Sequence, residues 1–249
     1  LIDNIGNYVM SREKASRMEK MGKSSAIGSQ ALLKYIKAFG ASEESILGET
    51  LLYVFLEQEL NAPKIMSKIE IDDIGGISKS KCDGVHLYVS DDRGIPFVKL
   101  VFGASNIIGS LKSAVDNAFK KIISVEQNSE NELQMVDNTP NENIFSPEVN
   151  NYMRAILFPK KGEGEPPELA FGCFLGYTLV LNTPVLSNEN YKIAAKNQLI
   201  EDIKNIKPYI EKMVIENGLD NYSFYFYILP FNDAQNDKVR LVKEMTGGY

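Results

Sequence analysis

Cys82-Asp83-Gly84-Val85-His86, followed downstream by Phe102-Gly103-Ala104-Ser105-Asn106, marks the two ends of an apolar hairpin whose turn is Asp91-Asp92-Arg93-Gly94. The spacing and the apolar flanks suit the hairpin of a metal-dependent nuclease. In such a hairpin two carboxylates converge on a divalent metal, and a lysine two positions beyond the second one polarises the attacking water. Asp83 supplies the first carboxylate. Ala104 and Asn106 stand where the second carboxylate and the lysine belong. Alanine offers a metal no side-chain donor, and asparagine can orient a water but carries no charge. Chemistry at this centre is therefore expected to be severely weakened.

Upstream, Ile46, Leu47, Leu51, Leu52, Val54, Phe55 and Leu56 fill so much of a helical wheel that a largely buried helix is expected from Ile46 to Leu60, with Ser45 as N-cap and Pro63 beyond its end. Glu49 shares a face of that helix with Leu52, Tyr53 and Leu56. It is either a half-exposed first-turn acid favoured by the helix dipole or a third group at the metal. Strands are expected over Lys64–Ile71, Lys81–Val89 and Pro96–Phe102, then a helix over Ser110–Ile123 with Leu111, Ala114, Val115, Ala118, Phe119 and Ile122 as its apolar stripe. Lys112 on that helix is a candidate phosphate contact, although an exposed lysine needs no ligand. The polar run Ser124–Asn151 reads as a surface excursion or a partly disordered stretch. Strands Ala170–Leu181 and Tyr222–Leu229 then flank a helix from about Tyr191 to Glu216. This order gives an α/β (α+β) class with a mixed sheet between helices.

Composition excludes several alternatives. With 249 residues, 44% of them hydrophobic, the chain can bury one generous core. A formal charge of -6 argues against coating nucleic acid through the overall field, while a local patch can still grip phosphates. No apolar run reaches the roughly 20 residues of a membrane span, and Leu1-Ile2-Asp3-Asn4 lacks the basic and apolar regions of a signal peptide, so a cytoplasmic protein without membrane contact is expected. Cys82 and Cys173 lack zinc or disulfide spacing and read as buried thiols. His86, the single histidine, reads as a satisfied structural residue. Gly22-Lys23-Ser24 lacks the upstream glycine of a phosphate loop, since that place is Arg17.

Taken together, Leu47-Gly48-Glu49-Thr50-Leu51-Leu52-Tyr53, Asn61-Ala62-Pro63-Lys64, Ser67-Lys68, Asp83-Gly84-Val85-His86-Leu87 and Phe102-Gly103-Ala104-Ser105-Asn106 resemble the HamA family of the bacterial Hachiman anti-phage defence system. The resemblance continues through Ser110-Leu111-Lys112-Ser113-Ala114-Val115-Asp116, Ala170-Phe171-Gly172 and Tyr225-Phe226-Tyr227-Ile228-Leu229-Pro230-Phe231. It implies a PD-(D/E)xK-type nuclease fold at 46–249 behind an N-terminal helical segment at 1–45. It also implies magnesium as cofactor of the active form, DNA as substrate and a helicase, HamB, as the restraining partner. Asp83 then matches the motif aspartate and Glu49 joins it on the metal. Ala104 falls where the family typically has glutamate, and Asn106 where it typically has lysine. The alternative is a non-catalytic module that binds and regulates a helicase.

Overall fold

The computed structural model describes residues 4–10, 12–41, 45–73, 80–90, 97–138, 167–181 and 187–247. Three helices come first: α1 (Ile5–Val9), α2 (Arg12–Lys20) and α3 (Ser24–Ala41). Then follow α4 (Ile46–Gln58), β1 (Lys64–Ser67), α5 (Lys68–Asp73), β2 (Gly84–Ser90), β3 (Phe97–Ile107), α6 (Leu111–Gln127) and α7 (Ser129–Asn138). The chain closes with β4 (Glu168–Thr178), α8 (Asn188–Glu216), β5 (Ser223–Phe231) and α9 (Ala234–Met245). The five strands form one sheet in the order β1-β2-β3-β4-β5, antiparallel from β1 to β3 and parallel from β3 to β5. The expected mixed α/β architecture is the one observed.

Two apolar layers sandwich the sheet, and the period-two alternation of β3 sorts its side chains between them. Leu100, Phe102 and Ala104 join the layer containing α6 residues Ala114, Val115, Ala118, Phe119 and Ile122. Val101 and Ile107 join the layer containing Leu47, Leu52 and Leu56 of α4. Tyr8 of α1 and Tyr35 of α3 belong to that second layer too. Full burial of Phe102, Phe119 and Phe171 contributes roughly 1.5–3 kcal/mol each. Two close approaches seat α4 on the sheet. A Cβ at Gly103 would stand 2.8 Å from Leu52 Cδ2, and one at Gly48 would stand 3.1 Å from Ser105 Oγ. Glycine at both positions lets the helix carrying Glu49 come down onto β3.

Two expectations need correction. The strand expected to run to Ile71 stops at Ser67, and α5 begins at once. Ser67 and Glu70 cap each other: the Ser67 N–H donates to Glu70 Oε2 at 2.9 Å and the Glu70 N–H to Ser67 Oγ at 3.3 Å. This is a reciprocal capping box, which turns the backbone into a helix against the β-propensity of Ile69 and Ile71. The polar run from Ser124 is helical to Asn138, because Val125, Met135 and Val136 supply buried anchors that its overall polarity conceals. Residues 139–151 of that run lie outside the described residues. Among the described residues no helix is long and apolar enough to cross a membrane.

Candidate active site

Asp83 stands at the entry to β2, and its N–H donates to the Gly103 carbonyl at 2.8 Å. The register that sets Val85 opposite Phe102 brings Asp83 level with Ala104, so the sheet sets Asp83 beside the end of β3 where Ala104 and Asn106 lie. Its carboxylate is 4% exposed by residue and fully engaged. Oδ2 accepts from the Ser105 N–H at 2.6 Å, from Ser105 Oγ at 2.7 Å and from Lys121 Nζ at 2.6 Å. Oδ1 accepts from the same ammonium at 2.7 Å. Lys121 also donates to the Ser105 carbonyl at 3.0 Å. Charge-assisted bonds of this length are the strong kind, and here one ammonium spans both carboxylate oxygens.

Glu49 reaches the same region from α4 on the opposite side. It is buried, and its Oε2 accepts from the Tyr8 hydroxyl at 2.9 Å. Burial pushes its carboxyl up to about 7, the negative charge of Asp83 pushes the same way, and Ser45, Lys121 and Tyr8 only partly offset them. The Tyr8 hydroxyl is itself driven upward by burial and by Glu49. Lys64 ties α1 to the sheet from below, donating to the carbonyls of Asn7 at 2.7 Å, Tyr8 at 3.1 Å and Met10 at 3.0 Å. The hydroxyl facing Glu49 is thereby fixed in place.

The other sequence candidates fall differently. Ala104 points into the apolar layer under α6 and is 1% exposed. Asn106 Oδ1 accepts from Asn117 Nδ2 of α6 at 3.4 Å, a weak neutral contact. Lys112 is not brought to Asp83. It lies nine positions before Lys121 on α6, about 13 Å along the helix. Its ammonium bonds Asp116 at 3.0 Å and the Tyr209 hydroxyl at 2.9 Å, and sits 4.1 Å from the Tyr209 ring centroid. His86 is structural as expected, with Nδ1 2.8 Å from the Ala62 carbonyl. Cys82 and Cys173 are free and buried, and burial pushes the Cys82 thiol up to about 12.

Lys121 is the residue that sequence reasoning missed. Its signal is positional: Ala114, Ala118, Lys121 and Val125 follow the four, three and four spacing of one helix face, so a lysine interrupts the stripe that packs on the sheet. A lysine in that stripe demands a buried or half-buried acid opposite it.

Magnesium, the cofactor expected of an active form, takes about six oxygens near 2.1 Å. The donors this chain presents do not fit it. Asp83 Oδ2 already takes three hydrogen bonds, Ala104 supplies no side-chain oxygen, and Glu49 is held by Tyr8. Among the described residues no group of three or more His, Cys, Asp or Glu side chains is placed to hold a metal ion.

The family model described as HamA aligns with residues 1–245 of the chain. No curated protein and no solved structure matches it. A family model spanning nearly the whole chain, over a mixed sheet whose hairpin sets Asp83 beside positions 104 and 106, settles the affiliation: the chain belongs to the HamA family and is a component of Hachiman antiviral defence.

Proposed function

We propose that the chain is the nuclease effector subunit of a bacterial anti-phage complex, built on a PD-(D/E)xK-type scaffold and disabled in its chemistry by Ala104 and Asn106. The observation that carries this is the placement of Asp83 at the start of β2, level with position 104, with Glu49 approaching from α4. That is the convergence a metal nuclease requires, drawn in a chain that lacks two of its groups. Asp83 and Glu49 are the retained acids. Position 104 is the vacant place of the second motif carboxylate, and position 106 that of the water-activating lysine. DNA is the substrate of the active scaffold, magnesium its cofactor, and a helicase subunit of the HamB kind its partner. Lys112, exposed on α6, is a weak candidate for a phosphate contact.

Restoring both side chains tests this proposal. The Ala104→Glu, Asn106→Lys double variant, freed of any partner, should cleave DNA with magnesium while the unaltered chain does not, and Asp83→Asn in the restored background should abolish the cleavage. Silence of both proteins favours the regulatory module. Cleavage by both, insensitive to Asp83→Asn, puts the centre elsewhere.

A further inference from the structure

We infer that Lys121 is a built-in counter-ion that occupies the divalent-cation position at Asp83, so this chain keeps its nuclease-type centre neutral and folded with no metal bound there. The inference rests on the assignment of Asp83 as the motif carboxylate.

Three observations converge on it. First, one ammonium lies 2.7 Å from Oδ1 and 2.6 Å from Oδ2 of Asp83, bridging both oxygens as a bidentate cation would. It also takes the Ser105 carbonyl at 3.0 Å, so it draws on side-chain and backbone oxygens together. Second, the pair is asymmetric in burial. The Asp83 side chain is 2% exposed and that of Lys121 is 25% exposed, so the lysine reaches inward from α6 with its stem along the apolar layer and delivers charge to an acid that water hardly touches. Third, the neighbouring positions on β3, Ala104, Ser105 and Asn106, contribute no charge of their own, and Glu49, the acid that approaches from α4, is bonded by the Tyr8 hydroxyl. A buried carboxylate left unpaired is costly. Without a second acid at 104, the single positive charge of Lys121 balances Asp83, while Glu49 is bonded by the Tyr8 hydroxyl instead. Loss of the carboxylate at 104 therefore suits a monovalent ammonium better than a metal. Restoring glutamate there would add a second carboxylate beside Asp83 and shift the competition back toward a dication.

Thermal unfolding in EDTA and in millimolar Mn²⁺, a close surrogate for Mg²⁺, tests this without reference to cleavage. The proteins are the unaltered chain, Asp83→Asn, Lys121→Ala and Lys121→Ala with Asp83→Asn. The unaltered chain should show no Mn²⁺-dependent change. Lys121→Ala should unfold at a lower temperature in EDTA and regain about 5 °C with saturating Mn²⁺, a gain absent when Asp83 is also changed. Should Lys121→Ala fail to fold, the milder Lys121→Gln carries the same comparison. Stabilisation of the unaltered chain by Mn²⁺ that disappears in Asp83→Asn would overturn the inference, because Lys121 would then be yielding to the metal. A folded Lys121 variant blind to Mn²⁺ would overturn it as well. Either failure is separable from the function proposed above, since the restored double variant can still cleave DNA when this titration fails.

Discussion

Two buried carboxylates approach one another in this protein, and the fold deals with them in opposite ways. Asp83, at the mouth of β2, is matched by charge: Lys121 crosses from α6 and spans both oxygens. Glu49, on α4, is matched by neutral donors, with the Tyr8 hydroxyl on Oε2 and its carboxyl pushed up to about 7 by burial and by Asp83. The Lys121 ammonium bonds Asp83 and reaches Glu49 through its charge. The acid nearer to it keeps its charge partner, and the other is held toward its protonated form. In a metal nuclease a dication would satisfy both acids together. Here a lysine meets Asp83, and burial pushes Glu49 toward its protonated form.

Breaking the charge-matched side should cost most. Lys121→Met leaves Asp83 buried without its cation and is expected to destabilise the chain by about 3–5 kcal/mol in denaturant unfolding. A change within experimental error would show that Asp83 is content with its two bonds from Ser105. The insertion Ala104→Glu ranks next. It forces a longer, charged side chain into a position that is 1% exposed, and a loss of about 1–3 kcal/mol is expected from crowding alone in EDTA.

The neutral side should respond less. Tyr8→Phe removes one hydrogen bond to a buried acid and is expected to cost about 1–2 kcal/mol near pH 7, with a smaller cost at low pH. Glu49 also sets a pH dependence. Its carboxyl titrates near 7 in the folded chain and near 4.5 when unfolded, so the folded state holds the extra proton between those values. Stability from this group is fully present below about 4.5 and is lost as pH rises through about 7. Glu49→Gln should flatten that part of the unfolding profile, and an unchanged slope would mean that the burial of Glu49 is relieved by water. The smallest effect is expected at Lys112→Ala: that ammonium is exposed, and its contacts with Asp116 and Tyr209 lie away from both acids, so the unfolding midpoint should not move measurably.

The pairing of β2 with β3 was legible from its residues, because strand alternation and the Asp83-Gly84 start survive as local pattern, while the turn expected at Asp91-Asp92-Arg93-Gly94 lies outside the described residues. The helix carrying Glu49 and the stripe of α6 were legible for the same reason, since apolar periodicity is a one-dimensional signal. Ser67 and Glu70 were a readable capping box overlooked under the β-propensity of Ile65, Ile69 and Ile71. α7 was hidden by averaging, with Met135 and Val136 as buried apolar anchors diluted among acids and amides. The pairing of Lys121 with Asp83 is a different matter. The apolar stripe of α6 sets Lys121 apart from Lys112 and Lys120, but only the packing of α6 on β3 makes Asp83 its partner. The exposed Lys112 was the candidate on that helix, and the lysine at the acid is the one embedded in the apolar stripe.

The division of labour between the two acids rests on how strongly Asp83 and Lys121 depend on one another. A double-mutant cycle in denaturant unfolding measures this directly, using the unaltered chain, Asp83→Asn, Lys121→Met and the two together. A coupling of at least about 1.5 kcal/mol is expected, with the double variant more stable than the sum of the single losses allows. Additivity within about 0.5 kcal/mol would contradict the account, because Asp83 would then hold its charge without the lysine.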